Sequence, residues 1–90
     1  MPTYLVSYDL KAPGRDYEPV WTYLRASTHW RPLDSVWFIV TDKTAIAVRD
    51  DIRKLADATD QVMVVRVDGQ AWATSGLGSG NAWMAAHVAP

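Results

Sequence analysis

The apolar residues of this chain keep switching between a period of two and helical spacing, and that switching limits what the chain can fold into. Over residues 3–9, Tyr4, Val6 and Tyr8 fall on one side while Leu5, Ser7 and Asp9 fall on the other, the pattern of a strand. Lys11 to Arg15 then contains a Pro-Gly turn signal. Tyr17, Val20, Trp21 and Leu24 recur at i, i+3, i+4 and i+7, which predicts a helix over residues 16–26. Asp16 is its expected N-cap, and Pro19 falls in the first turn, where a missing N–H is harmless. Residues 29–33 read as a short strand that Pro32 assigns to an edge or a bend. In residues 35–41, Val36, Phe38 and Val40 alternate with Ser35, Trp37, Ile39 and Thr41. Both sides are largely apolar, so this strand is expected to be central and covered on both faces. Ala45, Val48, Ile52 and Leu55 predict a second helix over residues 45–56 with Thr44 as N-cap. A last strand spans residues 61–68, with Met63, Val65 and Val67 opposite Val62, Val64 and Arg66.

The order β-α-β-β-α-β is the split βαβ of ferredoxin-like folds. The expected class is α+β: a four-stranded antiparallel sheet with two helices on one face, over residues 1–70. Residues 71–90 form a C-terminal tail. Gly76, Gly78 and Gly80 make its middle read as a flexible linker, and residues 81–87 read as a short helix carrying Trp83. The sheet face without helices is left with Leu5, Trp37 or its neighbours, and part of the last strand. An uncovered apolar face is a contact surface, and a chain of 90 residues buries too little alone to make such cover unwelcome. A homodimer through that face is therefore expected.

Composition narrows the function classes. There is no cysteine, which excludes disulfides and thiolate-bound zinc. The first residues enter a strand pattern with no basic and apolar leader, and no apolar run approaches the roughly 18 residues of a membrane span. The expectation is a cytoplasmic protein with no membrane partner. A net charge of −1 argues against charge-driven duplex binding by the whole surface.

Candidate chemistry centres on Asp9, at the end of the first strand. It either caps the following loop or pairs with Lys11 or Arg15, or it serves as a metal ligand. One carboxylate per chain builds no metal site, but two from a symmetric dimer plus waters suit Mg²⁺. Asp34-Ser35 is either a turn between strands or a second carboxylate with a hydroxyl. His29 and His87 lie in no motif. Arg25, Arg31 and Arg66 with Trp30 and Trp37 offer an aromatic-basic surface for single-stranded nucleic acid. The glycines near position 78 lack the Lys-Ser/Thr ending of a phosphate loop.

The stretch Tyr4-Leu5-Val6-Ser7-Tyr8-Asp9-Leu10, followed by Leu33-Asp34-Ser35-Val36-Trp37-Phe38 and by Asp68-Gly69 and Trp72, resembles the CRISPR-associated protein 2 fold family. It is closer to a stand-alone bacterial branch labelled SinR-like, with VapD-type toxins as more distant relatives. The resemblance covers roughly residues 3–73. It implies a ferredoxin-like homodimer in which Asp9 meets its symmetry mate and the pair holds Mg²⁺ or Mn²⁺ for phosphodiester cleavage of RNA or DNA. Asp9 would then be both catalytic residue and metal ligand. Lys11 and Arg15 would contact nucleic acid; Arg31 joins them as a contact from the aromatic-basic surface, with Tyr8, Asp34, Ser35 and Trp37 as further site candidates. Some members of the family act as structural adaptors, so the resemblance equally implies a non-catalytic homodimer that binds nucleic acid or serves as a scaffold.

Overall fold

In a computed structural model, the protein is described over residues 1–89; Pro90, the last residue of the expected tail, lies outside the described residues. The elements are β1 (Thr3–Asp9), α1 (Glu18–Arg25), β2 (Thr28–Leu33), β3 (Val36–Val40), α2 (Ala45–Leu55), β4 (Gln61–Arg66) and α3 (Gly80–His87). The strands pair antiparallel in the order β2-β3-β1-β4. This is the ferredoxin-like arrangement, with a third helix added.

Local chemistry accounts for most element ends. The Thr44 hydroxyl accepts the Ala47 N–H at 3.1 Å and caps α2. Arg53 and Lys54 lie in the last turn of that helix, where positive charge suits the unpaired carbonyls. Val48 and Ile52 are its buried stripe. In α1, Pro19 sits in the first turn and Val20 and Leu24 are buried. The helix begins at Glu18 rather than at residue 16. Asp16 is not the N-cap: it lies one residue before the cap position, which Tyr17 holds, and its carboxylate accepts the Glu18 N–H at 2.9 Å. β2 is an edge strand, and its pairing with β3 shifts register between Trp30 and Leu33, around Pro32, which has no N–H to give the ladder.

Facing strands share their side-chain faces. Val6 pairs with Trp37 and Tyr4 with Ile39. All four face the helices, and with Tyr8, Val20, Leu24, Val48 and Ile52 they form the main core. The expectation that Trp37 lies on the uncovered sheet face is therefore corrected: Trp37 is 2 % exposed beneath the helices. Ser35 also moves, out of the third strand and into the turn that precedes it.

The opposite face carries a second core, and the tail supplies half of it. Phe38 packs with Met84 and Val88 of the tail, flanked by Leu5, Trp30, Trp72 and Trp83. The tail is thus not a free linker. The Thr3 hydroxyl donates to the His87 carbonyl at 2.7 Å, and the Gly69 N–H donates to the Val88 carbonyl at 2.8 Å. Gly80 lies so close to the Trp30 ring that a methyl group there would stand 2.0 Å from an indole carbon. The helix-free face is consequently covered at the Leu5 and Phe38 end. What stays open is Leu33 on the β2 edge and, across β3 and β1, Met63 and Val65 on the β4 edge, exposed by 53 %, 57 % and 41 %. Among the described residues no helix is long and apolar enough to cross a membrane.

Candidate functional site

The end of β1 and the turn between β2 and β3 meet, because the Tyr8 N–H donates to the Ser35 carbonyl at 3.1 Å. That one backbone bond brings residues far apart in sequence to the rim of a cleft of about 520 Å³. Tyr8, Asp9, Trp21, Arg31, Asp34 and Ser35 line it together with Leu10. Five of these are residues singled out in the sequence.

The Tyr8 hydroxyl is the hub. It accepts the indole N–H of Trp37 at 3.0 Å and that of Trp21 at 3.1 Å, and it donates to the Asp34 carbonyl at 3.0 Å. A guanidinium nitrogen of Arg31 approaches it at 3.4 Å. Arg31 itself is held from several sides. Its Nε and Nη2 donate to the Asp34 carbonyl at 3.0 and 2.6 Å. Its guanidinium carbon stands 5.0 Å from the Trp37 ring centre and 5.4 Å from that of Trp21. Those distances are within range of cation–π attraction. A long side chain on an edge strand is thereby fixed in one orientation.

The charge of Arg31 is not consumed. Of the nine Lys and Arg side chains, Lys11, Arg15, Arg25, Lys43, Arg49 and Arg66 form ion pairs. Among the described residues Arg31, Arg53 and Lys54 form none. Arg53 and Lys54 project from the solvated side of α2. Arg31 differs in being oriented by two indoles and a carbonyl.

Asp9 stands where β1 ends, with its side chain 67 % exposed and Lys11 Nζ 3.6 Å from its carboxylate. It borders a second, smaller hollow with Ser7, Gln61 and Met63, at the open β4 edge. Arg15 does not line the cleft. It reaches the Leu55 carbonyl at 3.4 Å and the Asp57 carboxylate at 3.6 Å. The loop carrying Lys11 and Arg15 is fastened by Asp60, which accepts the Lys11 N–H and the Tyr17 hydroxyl at 2.7 Å each and the Asp57 N–H at 2.8 Å. Partial burial pushes the Asp60 carboxyl upward, but these donors outweigh it and hold the group below the usual range. Trp37 supports the cleft from beneath. His29 lies against Trp37, and His87 against Trp83, neither beside Asp9. Trp21 is the wall that the sequence reading missed: its helical spacing marks it as core, and only its polar N–H, which needs a partner, hints at a second duty.

Among the described residues no three His, Cys, Asp or Glu side chains come together. One chain offers a single exposed carboxylate at the β1 end, which is not by itself a magnesium site. The fold and cleft together define a small ferredoxin-like α+β protein with an oriented, unpaired arginine at one end of its sheet. No protein-family model matches the chain, and no solved structure matches it.

Proposed function

We propose that this protein is a homodimer similar to the CRISPR-associated protein 2 family that binds single-stranded RNA or DNA through the Tyr8–Arg31 cleft. The observation that carries this reading is Arg31: a guanidinium without a carboxylate partner, aligned by two indole rings and the Asp34 carbonyl. A pre-oriented guanidinium loses less freedom on meeting a phosphate and presents its donors as a fork. Trp21 beside it is partly buried, and an aromatic face next to a cation is the usual platform for an unpaired base. Asp9 and Asp34 line the cleft with Arg31, and Lys11 beside it pairs with Asp9, so the formal charges nearly cancel. Binding therefore rests on stacking and directed hydrogen bonds more than on bulk charge. The exposed apolar residues Leu33, Met63 and Val65 support a second copy of the chain as the cover of that face.

Titration of fluorescent 12-nucleotide single strands of RNA and DNA, read by anisotropy, tests this. Arg31→Ala is expected to weaken binding at least tenfold with the fold retained by circular dichroism. Unchanged affinity in that variant would refute the cleft. Light scattering at tens of micromolar tests the dimer, and a monomer mass would refute it.

A second reading, a Mg²⁺- or Mn²⁺-dependent endonuclease, has one observation in its favour. Asp9 is exposed beside the open β4 edge, so a two-fold dimer formed there would bring two carboxylates together. The pair, not one chain, would be the metal ligand. Metal-dependent cleavage that disappears in Asp9→Asn supports this reading; equal cleavage by both proteins removes it.

A further inference from the structure

The tail does more than cover the second core. Between it and the sheet lies a cavity of about 400 Å³, lined by Leu5 and Phe38 from the sheet, Trp30 from β2, Met84 from α3, and Trp72 from the strap that joins β4 to α3. Its volume falls in the roughly 300–1,000 Å³ range of small-molecule sites. Among the described residues no charged side chain lines it, and Gln70 and Thr74 are its polar lining residues. Trp30 and Phe38 stack with an interplanar angle of 20° and ring centres 5.8 Å apart, and Trp83 lies 5.9 Å from both, so this side of the cavity is aromatic.

The roof is a strap rather than a continuous face. It is fixed at one end where Gly69 bonds the Val88 carbonyl, and at the other where Gly80 rests on Trp30. Among the described residues the backbone N–H groups of residues 71–79 donate to no other backbone group. One side-chain bond, from the Thr74 hydroxyl to the Asn81 side-chain oxygen, and side-chain packing set the height of the roof, so a guest can lift it without breaking a ladder. The geometry points to a binding site for a small, uncharged, flat aromatic molecule with one hydrogen-bonding group. The rings enter between the Trp30–Phe38 wall and Trp72, and the polar group meets Gln70 or Thr74. A charged guest would lose its hydration with nothing in the lining to replace it. This site is separate from the Arg31 cleft and does not depend on nucleic-acid binding.

The test uses the full chain labelled with ¹⁵N and titrated with 2-naphthol, with 2-naphthoate as the charged counterpart. The expected result is saturable one-to-one binding of 2-naphthol. The indole N–H signals of Trp30 and Trp72 should move while those of Trp21 and Trp37 stay. Val36→Phe, which fills the cavity from β3, should weaken that binding at least tenfold. No saturation up to the solubility limit overturns the site. So does binding of 2-naphthoate as tight as that of 2-naphthol, or movement confined to Trp21 and Trp37.

Discussion

The indole N–H of Trp37 donates to the Tyr8 hydroxyl at 3.0 Å, and the same hydroxyl receives Trp21 at 3.1 Å. One phenol thus satisfies two tryptophans, one of them deep in the core, and orients the arginine above them. The core and the cleft share this atom, so a change to it is felt in both.

Tyr8→Phe tests that sharing. The substitution keeps the ring and removes the acceptor, leaving the buried Trp37 N–H without its partner. A buried donor left unpaired costs about 1–3 kcal/mol, so urea unfolding should show a loss of that size. Affinity for a single-stranded oligonucleotide should fall with it, because Arg31 loses part of its frame. A midpoint equal to wild type would mean that the hydroxyl is not the hub described.

Gly80→Ala tests the docking of the tail. A β-carbon at that position meets the Trp30 ring at 2.0 Å, so Trp30 or α3 has to move. Overpacking of this kind costs about 1–3 kcal/mol. Limited proteolysis should cut the variant between residues 70 and 79 faster than wild type, with the sheet core intact. Equal cleavage rates would contradict the tight seat of α3.

The acid limb of stability should trace to Asp68. The Arg66 guanidinium bonds both its oxygens, at 2.9 and 3.0 Å, and the Thr3 N–H adds a third bond at 3.1 Å. Together they hold the carboxyl down at about 2. A depressed pKa contributes stability that is present above the unfolded value of about 3.9 and is lost as the pH falls through the folded one. Asp51, drawn down by Lys43 and Tyr23, and Asp57, drawn down by Thr59, act in the same direction. Stability measured in urea should therefore drop between pH 4 and pH 2, and Asp68→Asn should flatten part of that drop. An unaltered slope in the variant would contradict the assignment.

Salt should affect nucleic-acid binding only weakly. With the cleft charges nearly balanced and one oriented cation per chain, about one phosphate contact is expected. For single strands that gives a slope of log K against log salt of about −0.7 per chain. Arg31→Lys keeps the charge but loses the planar fork, and should bind nearly as poorly as Arg31→Ala. A steep slope, or full rescue by lysine, would indicate diffuse charge instead of a directed contact.

Much of the scaffold was legible because its signals are local. The alternation over β1, the stripe of α2 with Thr44 before it, and the Pro32 break in β2 are each readable within a few residues. Trp37 was not, because a strand apolar on both sides carries no mark of which face is which; the register with Val6 decides it. The docked tail was hidden for another reason. Three glycines read as slack, while the bonds that seat the helix join Thr3 to His87 and Gly69 to Val88, and no local pattern announces them. Asp9, Arg31, Asp34 and Ser35 could each be named from sequence and from family resemblance. Their convergence on one cleft could not, since it depends on the long-range bond from Tyr8 to Ser35.

The most direct measurement is a nuclear magnetic resonance footprint of the ¹⁵N-labelled protein titrated with a 12-nucleotide single strand. Binding at the Arg31 cleft predicts saturable shifts of the Trp21 and Trp37 indole signals, the Arg31 Nε–H and the Ser35 amide, while the exposed basic face of α2 stays still. Shifts centred on Arg49, Arg53 and Lys54 with the cleft signals unmoved, or no saturable shift at all, would contradict it.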